Sequence, residues 1–458
     1  MAKQKEFSTG KIIGLLALTL VGVLVLYLVF VGIYSATYRE KFDATIEGNG
    51  YVTAKGKSLY DGQGNALRLI GTNAGALFVP EGWLTVYSIG YDEGKGDYKE
   101  TPLDEVMEAL ESNPNNFTQA EIDQLWQTYY VNWWTDADFE NIASLGMNTI
   151  RLPFPYTLLY EGETYEELTL REDAFYWLDW FLQGCADNDL YCILDMHVTV
   201  GTQSWYEHSG STQKCDLFRL EICQQKTADL WKAIAQHYMV DQPDLGKYIA
   251  AFDIMNEPAG VTGSTGKVEW DVMDIVYDAI RSVDDKHVIC MEGCWEFNNL
   301  PDPEDYDWEN VLYQYHWYNW WDFLPDSIFR LYKDLSLPGA NYDVPVYIGE
   351  FNFFDRNNDT WPQIWTDYLN MFDRRNYSWT TWSAKATTPG WWSTSWGLYN
   401  YAMNIPDGQF KVDLTTATYE QIYNEFEKID QYQWEKGPIN DFLAEYISQN
   451  YDSNGQLK

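Results

Sequence analysis

Two apolar runs in this chain each end in a glutamate. One is Ala251-Phe252-Asp253-Ile254-Met255-Asn256-Glu257-Pro258; the other is Val344-Pro345-Val346-Tyr347-Ile348-Gly349-Glu350-Phe351-Asn352. The first is too short for a helix and reads as a buried strand. Asn-Glu-Pro stops it, because proline cannot extend a ladder and restricts the residue before it. Each glutamate then stands at the C-terminal lip of a buried strand, where an unused charge is costly. Two carboxyl groups so placed can serve as acid and nucleophile, the pair that cleavage of a glycosidic bond requires. The alternative is two unrelated structural acids, each capping a following helix. The other strand ends weigh against it.

Strands that could present these acids recur along the chain. Residues 51–69 alternate around Asp61-Gly62-Gln63-Gly64-Asn65, a hairpin signal. Its second arm runs into a first core strand ending at Asn73. Further strands are predicted at 147–152, 190–196, the run ending at Glu257, 287–292, 311–316, 345–350 and 377–383. Helices are predicted at 118–145, 171–187, 224–238, 268–283, 326–335, 361–376 and 417–430. Thr118 and Glu121 have capping-box spacing at the start of the first. Such alternation implies an α/β fold with a parallel sheet, and eight units imply a closed (β/α)8 TIM barrel. No glycine-rich phosphate loop follows the first strand, which argues against dinucleotide binding. The barrel domain is expected over 49–430, with an acidic insertion at 84–117. A C-terminal helix and polar tail fill 431–458.

In such barrels chemistry sits at the C-terminal ends of the strands. Those ends carry Asn73, Arg151, His197, Asn256 with Glu257, Glu292, His316 with Tyr318, Glu350, and Trp382. A purely structural barrel has no reason to place polar or aromatic groups at each closing position.

In this order the residues resemble glycoside hydrolase family 5, whose catalytic glutamates end the fourth and seventh strands. Asn256-Glu257-Pro258 matches its acid/base motif and Gly349-Glu350-Phe351 its nucleophile motif. Arg151, His197, His316-Trp317-Tyr318 and Trp382 match its other signature positions. The loops at 71–83 and 197–210 are similar to those of the exo-β-1,3-glucanase branch, with differences at Ala76-Leu77 and 198–200. The resemblance implies a retaining β-glycosidase acting on β-glucan-type saccharide, with Glu350 as nucleophile, Glu257 as acid/base, and no metal or cofactor. It implies sugar contacts from Asn256, His197, His316 and Trp382. Arg151 and Tyr318 would hold Glu350 ionised, and that charge would keep Glu257 protonated. Glu81 and Glu292 are candidates for a terminal sugar's hydroxyls, or a structural ion pair. A transglycosylase, a glycolipid glucosidase and a non-catalytic glycan-binding barrel are the rival readings. Sugar, linkage and endo or exo action are left open.

Composition agrees with a neutral glycan partner. The 458 residues include 22 Trp and 35 Tyr, more than a core requires, and aromatic faces stack on sugar C–H faces. A net charge of −39 excludes nucleic acid, which needs a basic footprint, and disfavours docking on anionic lipid. With only five His among 458 residues, no spacing makes a zinc site. Cys215 and Cys223 could close a loop; Cys185, Cys192 and Cys290 read as buried thiols. Asn116, Asn358 and Asn376 head glycosylation sequons, the last running into a strand.

Residues 12–34 carry no charge, a run of roughly 34 Å as a helix, enough to span a bilayer. Lysines at 3, 5 and 11 favour the N-terminus inside. The run is long for a signal peptide, so an uncleaved transmembrane anchor is expected. Residues 1–11 would be cytoplasmic and 35–48 a stem. The cell membrane would then hold a single-pass protein whose catalytic domain, expected to be monomeric, lies outside the cytoplasm.

Overall fold

Eight strands, buried along almost their whole length, close on one another. They are β1 (Ile70–Asn73), β2 (Thr149–Pro155), β3 (Tyr191–Val198), β4 (Ile249–Asp253), β5 (Ile289–Glu292), β6 (Val311–Trp317), β7 (Val346–Phe351) and β8 (Ser378–Thr381). Every neighbouring pair is parallel, and β8 returns to β1, so the sheet is a closed barrel. A strand covered on both faces needs a near-continuous apolar run, which β3 and β4 have. The computed structural model describes residues 43–458 except 93, 96, 260–265, 297–298, 320–325, 336–341, 354–359, 388–395, 402–410 and 432–433. It also describes 19–23, 25–27, 29 and 33.

Helices alternate with the strands: α1 (Gln119–Trp133), α2 (Asp136–Ser144), α3 (Tyr176–Asp187), α4 (Glu221–Gln236), α5 (Lys267–Arg281), α6 (Asp326–Leu335), α7 (Trp361–Arg375) and α8 (Pro438–Asn450). The fold is the (β/α)8 barrel read from the sequence. One expected helix, 118–145, is two. Thr118 and Glu121 form the anticipated capping box, but Trp134 turns extended and Thr135 caps a second helix with Asp138. The fully buried Trp133 and Trp134 face the core from either side of that break. A second difference lies in the run ending at Glu257. The β4 ladder stops at Asp253, and Ile254 to Asn256 continue as buried backbone outside the strand, held by bonds from Trp231 to the Ile254 carbonyl at 2.9 Å and from Gln203 to the Asn256 carbonyl at 2.8 Å.

The lower lumen is filled by Leu69, just before β1, and by Ile193, Ala251, Cys290, Leu312 and Tyr347 from the strands. Leu59 and Leu67 of a three-stranded sheet (Thr53–Lys55, Ser58–Tyr60, Ala66–Leu67), with Val52 just before it, join that cluster and plug the barrel floor. Gly71 is required in β1, because a Cβ there would lie 1.7 Å from the Thr149 carbonyl oxygen. The C-terminal segment is docked rather than a loose tail. Arg68, buried, pairs with Asp373 at 2.9 Å, donates to the Gly455 carbonyl at 3.0 Å and lies over the Tyr451 ring.

All six cysteines are free and buried, so Cys215 and Cys223 do not close a loop. Asn376 ends α7 in a left-handed conformation and donates to Ser58 at 3.1 Å, while Asn116 is exposed. Asn358 lies outside the described residues, as does most of 12–34. Among the described residues no helix is long and apolar enough to cross a membrane.

Candidate active site

Arg151 organises the mouth of the barrel. It is fully buried on β2, and a buried guanidinium must find partners for its whole fork of donors. It donates Nε–H to Asp253 at 2.8 Å and Nη1–H to Glu350 at 2.8 Å and to Asn73 at 3.1 Å. Nη2 donates to Asn256 at 2.9 Å and pairs with Asp195 at 3.0 Å. Burial works against its charge, but Asp195, Asp253 and Glu350 outweigh it and hold the group firmly cationic. One side chain thus ties β1, β2, β3, β4 and β7 to a common centre.

Glu350, on β7, accepts from Arg151 through Oε1 and from the Tyr318 hydroxyl through Oε2 at 3.0 Å. Glu257 faces it. One carboxylate oxygen of each, with a ring nitrogen of His316, lie within 4.8 Å of one another. All three are buried, and their polar atoms already have protein partners in Arg151, Tyr318 and each other. Glu257 has φ +42°, the left-handed region, which costs about 1–3 kcal/mol for a side chain of this kind. Its N–H donates to Glu292 Oε2 at 2.9 Å, and this bond fixes the strained turn.

The tautomer of His316 follows from its neighbours. The Gln314 amide donates to Glu292 at 3.0 Å and lies 3.1 Å from His316 Nε2, while its oxygen accepts from the Cys290 thiol. An amide N–H cannot accept, so Nε2 accepts and Nδ1 carries the proton. Nδ1 then donates to Glu257 Oε1 at 2.7 Å. His197 is arranged in the opposite sense: its Nδ1 meets Asp195 at 2.6 Å, and its ring stacks on Trp382 at 5.8 Å.

The proton distribution departs from the sequence reading. Burial pushes Glu350 above the ordinary carboxylate value, and the pull of Arg151 only moderates this. Burial acts to raise Glu257 too, but His208 and His316 outweigh it and hold that carboxyl well below the usual range. The expectation that the charge of Glu350 keeps Glu257 protonated left out these two imidazoles. His208 Nε2 lies 2.9 Å from Glu257 Oε2.

Every candidate residue from the sequence reaches this region, in different surroundings. Glu81, on the loop after β1, is buried with Trp382 as a hydrogen-bond donor. Burial first, then the charges of Glu350, Glu207 and Glu257, push it well above the carboxylate range. Glu292 is fully buried beneath the acids, with Oε2 taken by the Glu257 amide and Gln314, so its position is that of a support. Trp83, Trp396 and Tyr318 form an aromatic wall, with ring centroids 5.9 and 6.2 Å apart. Trp391 and Trp392, two further candidates for a flanking wall in the sequence, lie outside the described residues. Sequence reasoning missed Asp195, Asp253, Gln314 and His208. The two aspartates were signalled as charges inside apolar strands, which must find a buried partner.

Asp195 and Asp253 are each pushed by burial up to about 7, against the pull of Arg151. A folded value above the unfolded one means that the native state holds protons more tightly. The stabilisation is then complete below about pH 4, the unfolded value, and is lost as pH rises through about 7. Urea midpoints should fall between pH 5 and 8, and Asp253→Asn should flatten that slope. A slope that is unchanged in the variant, or that has the opposite sign, would contradict this.

A closed barrel with buried acids and aromatic walls at its C-terminal mouth has the architecture of a barrel enzyme. Residues 109–388 match the family model described as Cellulase (glycosyl hydrolase family 5), and the chain belongs to that family of glycosyl hydrolases. The chain is 28% identical over 278 residues to the beta-xylosidase of Phanerodontia chrysosporium, covering 60% of this chain and 53% of that protein. It is 27% identical over 192 residues to endoglucanase C of Acetivibrio thermocellus, covering 40% of this chain and 50% of that protein. The chain thus spans about half the length of each. The fold is shared with rutinosidase from Aspergillus niger, at a TM-score of 0.57 and 13% identity over 78% of this chain and 97% of that one.

Proposed function

We propose that the protein is a retaining β-glycosidase that hydrolyses β-glucan-type saccharide by double displacement. The observation that carries this is the short reach between Glu257 and Glu350, with carboxylate oxygens within 4.8 Å. Retaining pairs stand about 5–5.5 Å apart, and inverting pairs about 6.5–9.5 Å apart to admit a water. Glu350 attacks the anomeric carbon while Glu257 gives a proton to the leaving oxygen. Glu257 then takes a proton from the incoming water. Arg151 and Tyr318 stabilise the carboxylate released from the intermediate. With its oxygen engaged by Arg151, Asn256 has its NH₂ group to offer a sugar 2-hydroxyl. His197, with Nδ1 engaged by Asp195, has Nε2 to accept from another hydroxyl. Trp382 floors the reactive sugar. A β-glucan preference is supported by the endoglucanase relative and by the aromatic walls. Release of chromophore from an aryl β-glucoside, with a product profile on β-1,3-, β-1,4- and mixed-linkage glucans, tests the reading. Inertness on all of them, with glycan binding retained, would favour a binding barrel.

We also propose that residues 12–34 anchor the enzyme with its barrel outside the cytoplasm. The described part of that run supports this: Thr19–Val23 is helical, and Leu20 and Leu26 are each 71% exposed, apolar surface uncovered by the barrel. Alkaline carbonate should leave the full-length protein in the membrane pellet; its release would refute the anchor.

A further inference from the structure

The third-strand loop carries a group that the proposed double displacement does not yet use. We propose that His208 shares one proton with Glu257, holding it between turnovers and handing it over in the first chemical step. This rests on the assignment of Glu257 as acid/base.

The geometry is built rather than incidental. His208 sits in a single 3-10 turn, Glu207–Ser209. Glu207 Oε1 accepts from the Thr101 N–H at 2.6 Å, the Thr101 hydroxyl at 3.1 Å and the Gly82 N–H at 3.3 Å. The Ser209 hydroxyl donates to the Tyr206 carbonyl at 2.7 Å. Gly210 closes the turn at φ +92°, where a Cβ would strike Val198 at 2.6 Å. Gln203, on the same loop, donates to the carbonyls of His197 and Asn256 at 2.7 and 2.8 Å and so ties the loop to the acid-bearing turn. The result is an imidazole nitrogen in ion-pair contact with Glu257 Oε2 at 2.9 Å, short of an aligned hydrogen bond, while His316 occupies Oε1. A carboxylate oxygen has two lone pairs, so Oε2 can face His208 and a leaving oxygen together.

The groups around the ring favour its cationic form. Glu257 touches it, Glu350 and Glu207 add negative charge, and Asp195 lies near enough to feel its charge. His197 lies 6.0 Å away edge-on and Tyr206 5.7 Å away, nearly parallel. Burial would lower the imidazole, but the carboxylates outweigh it and raise it above its ordinary value. The resting pair is therefore imidazolium and carboxylate.

The cycle balances. In the first step the His208 N–H bond breaks and an O–H bond forms on Glu257. That proton passes to the glycosidic oxygen as its bond to the anomeric carbon breaks and Glu350 bonds to that carbon. In the second step water gives a proton to Glu257 and attacks the carbon as the Glu350 bond breaks. The proton then returns to His208.

The test compares wild type with His208→Asn and His208→Gln in the full-length protein. An amide keeps a polar contact but cannot store a proton. The alkaline limb of kcat/KM should move to lower pH in both variants. At about pH 8 the loss should be roughly 10- to 100-fold on a methylumbelliferyl β-glucoside, a part of the full worth of acid–base assistance because Glu257 remains, and only a few-fold on the 2,4-dinitrophenyl glycoside. A limb at the wild-type position, or equal losses on the two glycosides, would overturn the proposal. A wild type inert on both would sink the underlying reading instead.

Discussion

Glu350→Gln should lower turnover by at least about 10³-fold and leave the barrel folded. The substitution keeps the shape of the side chain. Its amide oxygen can still accept from Arg151 Nη1, and the guanidinium in any case keeps Asp195 through Nη2 and Asp253 through Nε. What is lost is the nucleophile, since an amide cannot form and release a glycosyl ester. The buried charge of Glu350 is itself a burden on the fold, so thermal unfolding should move little. The checks are kcat on an aryl β-glucoside, and labelling by a 2-deoxy-2-fluoro glycoside, which should tag Glu350 in wild type only. Full activity in the variant would remove Glu350 from the mechanism.

Glu257→Ala should behave differently, because its role changes between the two steps. On a substrate with a poor leaving group the loss should be about 10²–10⁴-fold, the usual worth of general acid–base catalysis. On a dinitrophenyl glycoside the first step needs little protonation, and the glycosyl-enzyme should accumulate. Azide needs no base to attack it and should restore turnover, yielding a β-glycosyl azide. Alanine keeps the Cβ and so carries the same φ +42° strain that the native residue already bears, while the variant sheds a buried carboxyl group, so it should fold. An α-azide, or no azide product at all, would contradict the assigned acid/base.

Much of this was legible in the sequence because buried polar groups are conspicuous at the ends of apolar runs. Arg151, His197, His316 and Glu350 stand where the strand pattern put them, and α6 falls on 326–335 as read. The break before Thr135 was hidden because the apolar periodicity runs on through Trp133 and Trp134 while a second capping box interrupts it. Asp195 and Asp253 were visible as charges within strands, but their shared partner lies on β2, and single-sequence spacing does not bring them together. His208 gave no strand-end signal. Its position depends on where Thr101 and Gly82 meet Glu207, a contact between two loops. The pull of His208 on Glu257 was hidden for the same reason, since it comes from that loop rather than from the opposing acid.

The central claim is that the two acids act on one anomeric carbon from a distance too short to hold a water between them. Proton NMR of the first-formed sugar, followed before mutarotation, reads this out. The β-anomer should appear first from a β-glucoside and the α-anomer only later. An α-anomer as the initial product would mean inversion and would contradict the account.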